Sequence, residues 1–214
     1  MNKNNTIRVG YDLDGTLANF VGAWTELASK YFTEAEHVED GSELKTYNLS
    51  DKYGAHITNA VWKHIKNEGA FYNRLEPLNK MWLEDVKQME ARQDIETHYV
   101  TSRAHETVAW YGASNNHERA RLAQNIREQT ENWLDRHGLA GRLHMKKDKG
   151  IASKHIPLDF YLDNKVEDVM DAQRKSPTQS YLLDKKYNRE ADVKRRVQTV
   201  TEFNDEVRGL VSKL

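Results

Sequence analysis

Thr6-Ile7-Arg8-Val9-Gly10-Tyr11-Asp12 runs directly into Leu13-Asp14-Gly15-Thr16-Leu17-Ala18-Asn19-Phe20, and the reading of this stretch decides the fold. Its opening residues are rich in β-branched and aromatic side chains and read as a β-strand. Asp14-Gly15-Thr16 then breaks the strand into a turn. Asp12 and Asp14 are two apart at the strand end, so their side chains lean to the same side. A lone D-x-D is a weak signal and more often a solvated turn. Strand, acidic pair and glycine turn in one run are far more specific.

Outward from this strand the pattern alternates. Residues 19–71 read as helical and irregular, with the polar stretch HVEDGSELKTYN in their middle. From Pro77, Leu78, Trp82, Val86 and Met89 recur at helical spacing, with Pro favoured near a helix start. ETHYVTS (96–102) is a second strand. Residues 116–137 form a long helix with Leu122, Ile126, Trp133 and Leu134 inward, closed by Gly138. RLHMKK (142–147), LDFYLD (158–163) and QSYLLD (179–184) are further strands, and Val200, Phe203, Val207, Leu210 and Val211 mark a last helix. Strands separated by helices imply an open parallel α/β sheet wound with helices on both faces. Too many residues separate the first two strands for a plain crossover, so 20–75 is expected to form a small helical cap. Residues 1–19 and 76–214 then make the core domain.

In such sheets ligands bind beyond the carboxyl ends of the strands. Those ends carry Asp12 and Asp14, Thr101 and Ser102, Lys146 to Lys149, and Asp163 with Asn164. The acidic pair can divide a reaction: one carboxylate binds a hard cation and attacks phosphorus, and the other moves the leaving-group proton. Mg²⁺ takes oxygen ligands and keeps several waters, so one or two carboxylates suffice, with Asp163 placed as a second ligand. Thr101 can donate to a phosphoryl oxygen, and Lys149 can neutralise its charge. The plain alternative for either residue alone is a surface polar group.

Tyr11-Asp12-Leu13-Asp14-Gly15-Thr16-Leu17-Ala18 resembles the first motif of the haloacid dehalogenase superfamily. Tyr99-Val100-Thr101 is similar to its second, Lys149 to its third and Asp163-Asn164 to its fourth. Within it the chain is most similar to the 5′(3′)-deoxyribonucleotidases of C type, through Phe20, Trp62, FYNRLEPL (71–78), Asp148-Lys149 and RRVQTVTEFNDEV (195–207). The 104–140 region looks longer than in familiar members. The resemblance implies a Rossmann-like doubly wound sheet and a phosphatase acting on deoxyribonucleoside monophosphates. Asp12 would form an aspartyl-phosphate, and Asp14 would protonate the departing oxygen and then activate water. Thr101 and Lys149 would hold the phosphate. Asp12, the Asp14 backbone carbonyl and the Asp163/Asn164 pair would hold magnesium. Lys146, Lys147 and Lys154 are rivals of Lys149, which leads because it follows an Asp as in the family. Asn164 departs from the usual pair of acids and offers an oxygen without charge.

Phe20, Trp62, Phe71 and Tyr72 could line a slot for a base, or be packing residues of the cap. Trp24, Trp82, Trp110 and Trp133 read as packing. The D-x-D-G-T-L-A start and Ser102-Arg103 resemble the phosphatase domain of phage polynucleotide kinases, which keeps open a polynucleotide 3′-phosphatase with Ser102 and Arg103 on its substrate; Asn164 alone suggests a further reading, an idle nucleotide-binding or regulatory protein. A formal net charge of −1 and short basic clusters argue against a chain whose main business is gripping nucleic acid. The chain has 214 residues and no Cys, which excludes disulfides and thiolate metal sites. No apolar run nears membrane-spanning length, and the start MNKNNT lacks a signal's apolar core, so a cytoplasmic address is expected. The nine His residues show no H-E-x-x-H spacing. Base preference and oligomeric state, including a homodimer, stay open.

Overall fold

The computed structural model describes residues 6–110, 115–146, 149 and 156–213. Six strands form one all-parallel sheet: β1 Ile7–Tyr11, β2 Ile95–Thr101, β3 Arg142–Met145, β4 Phe160–Asp163, β5 Gln179–Leu183 and β6 Arg196–Val197. Their spatial order is β3-β2-β1-β4-β5-β6. The chain builds outward from β1 on one side, then crosses back to build outward on the other. The reversal flanks β1 with β2 and β4 and opens a crevice at their carboxyl ends.

The described α-helices are α1 Phe20–Tyr31, α2 Leu49–Glu68, α3 Lys80–Glu90, α4 Arg103–Trp110, α5 Asn116–Arg136, α6 Val166–Lys175 and α7 Val200–Val211, with short 3₁₀ turns at Gly41–Glu43, Tyr72–Arg74 and Lys186–Asn188. Five begin at a polar cap. Asn19, Asn48, Asn79 and Asn115 accept through their side chains from Gly22, Ser50, Met81 and Glu118 backbone N–H groups, and Thr199 accepts from Glu202. Each such bond satisfies a donor that a helix start leaves open. The Asn79 cap is why α3 starts at Lys80 and not at Pro77. Pro77 and Leu78 instead pair with the segment after β1: Leu78 N donates to Leu17 O at 2.8 Å and Asn19 N to Glu76 O at 2.9 Å. Residues 20–75 therefore leave and rejoin the sheet layer at one stapled point.

The sheet is covered on both faces, which explains its near-continuous apolar strands. On one face Tyr11, Tyr181 and Phe203 meet edge to face, and Leu83, Val86, Met89 and Val207 from α3 and α7 fill in around them. On the other, Val100, Ile156, Leu158, Tyr161 and Ala172 form a smaller cluster. Burying a side chain such as Phe203 or Val86 contributes on the order of 1.5–3 kcal/mol. In α5 the inward face is Ile126, Gln129, Thr130, Trp133 and Leu134, with Leu122 only half-buried. Trp24 and Trp133 are fully buried, while Trp82 is half-buried beside the core. The Trp110 side chain lies outside the described residues. Among the described residues no helix is long and apolar enough to cross a membrane.

Candidate active site

The register aligns three strand ends. Tyr11 pairs with Tyr99 on β2 and with Leu162 on β4, which brings Asp12, Thr101 and Asp163 to one edge of the sheet. Lys149 completes a buried charged cluster there. Its Nζ donates to Asp12 Oδ1 at 2.8 Å, with Asp163 Oδ2 at 2.9 Å and Asp168 Oδ2 at 3.3 Å. Asp12, Lys149 and Asp163 are each less than 5% exposed, so water barely screens them. Burial works against the Lys149 ammonium, but Asp12 and Asp163 outweigh it and hold its pKa well above the ordinary lysine value. Burial pushes the Asp12 carboxyl well above the usual range and Asp163 adds to that, while Lys149 opposes both. Burial, reinforced by Asp163, raises Asp168 to about 6.

Asp163 has both oxygens committed. Oδ2 accepts from the Tyr161 hydroxyl at 2.5 Å as well as facing Lys149, and Oδ1 accepts from Lys165 N at 2.9 Å. Asn164 is placed differently. One end of its amide meets Tyr187 Oη at 2.5 Å, and the other lies 3.1 Å from both the Asp14 carbonyl oxygen and Asp12 Oδ2. Thr16 Oγ1 stands 3.4 Å from Asp12 Oδ2 and 3.3 Å from that inner end. With Nδ2 inward the amide donates to both oxygens and Oδ1 accepts from Tyr187. With Oδ1 inward, a carboxylate, a carbonyl and an amide oxygen face one another. The turn is tight because Gly15 takes φ +83°, and a Cβ there would come within 2.6 Å of the Asn164 amide.

The Asp14 side chain points away from this cluster, onto Arg103. Arg103 Nε reaches both Asp14 oxygens at 3.0 and 2.9 Å, and Nη2 reaches Oδ1 at 2.7 Å, a fork-to-fork pair. The guanidinium is buried, 4.9 Å from the Tyr72 ring centre and 5.8 Å from that of Trp133, and its Nη1 donates to Thr130 Oγ1 at 3.4 Å. Thr101 Oγ1 accepts from Arg103 N at 3.3 Å. Ser102 is buried between β2 and α4. Lys146 is exposed, whereas Lys147, Asp148 and Lys154 lie outside the described residues.

A cavity of about 240 Å³ opens beside the cluster. Asp14, Gly15, Asn164 and Tyr187 line it from the sheet layer, and Phe20, Val21, Leu44, Thr58 and Trp62 from the 20–75 segment. Phe71 and Tyr72 are not on this wall. Both are buried against Phe20, Phe71 edge to face at 5.7 Å and Tyr72 stacked at 6.3 Å, so they support the ring that faces the cavity. Ser102 and Arg103 are absent from the wall as well. Tyr187, Thr16 and Asp168 were not singled out from sequence. Asp168 had a signal, five residues past Asp163 in the first turn of the helix after β4. Tyr187 had none, because its approach to Asn164 depends on two separate strand ends. Among the described residues no group of three or more His, Cys, Asp or Glu side chains is placed to hold a metal. The oxygens around Asn164 form a mixed set of another kind.

The architecture is that of haloacid dehalogenase-like hydrolases. An L-2-haloacid dehalogenase from Xanthobacter autotrophicus superposes with a TM-score of 0.53 at 12% identity, over 94% of this chain and 98% of that one. A haloacid dehalogenase-like hydrolase from Burkholderia xenovorans gives 0.51 at 9% identity, over 97% and 99%. At such identities the likeness speaks for the fold alone. A comparison with curated protein sequences found no match. Residues 5–214 match the family described as 5′ nucleotidase, deoxy (Pyrimidine), cytosolic type C protein, and the chain belongs to that family. It is thus a phosphohydrolase of the nucleotidase type.

Proposed function

We propose that this protein hydrolyses deoxyribonucleoside monophosphates through an aspartyl-phosphate on Asp12, with Mg²⁺ as cofactor and residues 20–75 closing over the substrate as a cap. The observation that carries the reading is the buried Lys149–Asp12 pair beside a cavity walled by Phe20 and Trp62. A carboxylate of Asp12 attacks phosphorus, the bond from phosphorus to the sugar oxygen breaks, and the Asp14 carboxyl delivers its proton to that oxygen. Asp14 then takes a proton from water as it attacks the intermediate, releasing inorganic phosphate and restoring Asp12. Lys149 and Thr101 hold the phosphoryl oxygens. Asp163 and Asp168 hold Lys149 in place.

The oxygens around Asn164 suit magnesium. Their 3.1 Å spacings are close to the edge of an octahedron, about 2.9 Å when oxygens lie 2.0–2.1 Å from Mg²⁺. Asp12, the Asp14 carbonyl and Asn164 Oδ1 would hold the ion, with Asp163 behind them. When bound, the ion offsets the negative charge gathered between Asp12 and the phosphate. Asn164→Asp tests this placement. Without metal the new carboxylate faces Asp12 and a carbonyl with only the single Thr16 hydroxyl to share among them, so Tm should fall. With Mg²⁺ it supplies a charged ligand, so affinity by calorimetry should tighten about tenfold or more and the Mg²⁺-induced rise in Tm should exceed the wild-type rise. Identical magnesium affinities would put residue 164 outside the metal's reach.

Sugar selectivity follows from the wall. Phe20, Val21 and Trp62 side chains give a ribose 2′-hydroxyl an apolar surround, and burying it unpaired costs roughly 1–3 kcal/mol. An apolar pocket rejects an added hydroxyl by about a hundredfold at most. The deciding measurement is kcat/KM for dUMP beside UMP and a 3′-phosphorylated oligonucleotide. A deoxy preference of about ten- to a hundredfold is expected. Equal values for the two nucleotides would remove the apolar-wall account, and a higher value for the oligonucleotide would establish a polynucleotide 3′-phosphatase instead.

A further inference from the structure

Helix α2 is broken at Gly54, whose φ 77° and ψ 159° are not helical. Thr58 follows four residues later. In an unbroken helix its hydroxyl could bond back to the carbonyl of residue 54 or 55, the usual outlets for a mid-helix Thr. The ψ of Gly54 turns the first of these out of line. Thr58 is 1% exposed, and among the described residues its Oγ1 has no hydrogen-bond partner. It nevertheless lines the cavity, one helical turn before Trp62 and on the same face. Other polar side chains on that wall are occupied locally: Asn48 Oδ1 accepts from Ser50 N and Oγ, and Asn48 Nδ2 donates to Asp51. Val21 and Leu44 offer Thr58 nothing.

We infer that Thr58 forms a base-reading subsite, its hydroxyl hydrogen-bonding a polar edge of the heterocyclic base whose face lies against Trp62. The inference rests on the nucleotide reading of the site. A buried hydroxyl left without a partner is unfavourable, and protein interiors rarely tolerate one. A base edge carrying a carbonyl or imino group satisfies it, because a hydroxyl both donates and accepts. With the phosphate at Asp12 on the sheet layer, the far end of a bound nucleotide meets the 20–75 segment, where Thr58 sits.

The test compares dUMP with 2-deoxyribose 5-phosphate, which keeps sugar and phosphate but has no base. In Thr58→Val the ratio of their kcat/KM values should fall roughly five- to tenfold, the worth of one neutral hydrogen bond. Thr58→Ser, which keeps the hydroxyl, should hold the ratio within about twofold of wild type. The ligand-free Tm of Thr58→Val should equal or exceed that of wild type, because a methyl replaces an unpaired hydroxyl of the same shape. An unchanged ratio in Thr58→Val, an equal fall in Thr58→Ser, or a lower Tm in Thr58→Val would each overturn the subsite. A wild-type ratio near one would instead mean that the enzyme ignores the base, and the nucleotide reading would fail before Thr58 is reached.

Discussion

Asp12→Asn protein is expected to fold as wild type and to lose turnover by on the order of 10⁴-fold or more, as when a covalent nucleophile is removed. An amide oxygen does not displace an alkoxide from phosphorus, and no other carboxylate replaces it. Asp163 has both oxygens bonded, and Asp14 is turned onto Arg103. The fold should survive because Lys149 keeps Asp163 at 2.9 Å and Asp168 at 3.3 Å after position 12 becomes neutral. The amide introduced at position 12 can also turn its oxygen to Lys149 and its N–H toward the inner end of Asn164, so the substitution strands no buried charge. Activity on dUMP is read beside circular dichroism and thermal unfolding. Labelling from a phosphate-labelled aryl phosphate should place phosphate on wild-type protein and none on the variant. A folded Asp12→Asn enzyme with more than a few percent of wild-type activity would move the nucleophile elsewhere.

What could be read from sequence is what neighbouring residues decide among themselves. The strand ending at Tyr11, the glycine turn after it and the alternation that makes a parallel sheet are local patterns, and the sheet follows them. Helix α3 starts three residues later than the spacing after Pro77 suggests, because one polar cap at Asn79 outweighs a favourable Pro. The two-residue strand β6 is too short to carry a pattern. Site residues divide in the same way. Which of Asp163 and Asn164 faces Asp12 Oδ2 and the Asp14 carbonyl could not be seen in their adjacency. It depends on Tyr161 and Lys165 occupying one and Tyr187 turning the other. Arg103 follows a strand end, where a contact to substrate is the expectation. Its partner is Asp14, 89 residues away in sequence, and the aromatic rings that hold it come from two other segments. Thr58 was silent for the same reason: that its hydroxyl is buried without a partner among the described residues depends on the packing around it and not on its neighbours in sequence.

Arg103 is the positioning residue with the largest expected effect outside the reacting groups. An acid that must protonate a leaving oxygen works only from the right place, and a misplacement of about 1 Å can cost on the order of a hundredfold. Three bonds from one rigid fork fix the Asp14 carboxyl, and Tyr72, Trp133 and Thr130 fix the fork. Tyr72 is itself tied to Thr107 through its hydroxyl at 2.5 Å, and Trp133 Nε1 donates to Leu75 O at 2.7 Å. Arg103→Met keeps most of the buried stem and removes the fork. Arg103→Lys keeps a charge but not bidentate geometry, so it should rescue only in part. For dUMP, whose sugar oxygen needs a proton to leave, Arg103→Met should lower kcat/KM by on the order of 10²–10³-fold, the range of a lost general acid. For p-nitrophenyl phosphate, whose leaving group departs as a stable anion, the fall should be about tenfold or less, because proton transfer contributes little there. Asp14 is partly exposed, so losing its partner leaves a solvated carboxylate and a protein that still folds. In an Asp14→Asn background, Arg103→Met should cost almost nothing further, since both changes remove the same step. Equal losses on the two esters, or additive losses in the double variant, would mean that Arg103 serves the fold or the phosphate and not the placement of Asp14.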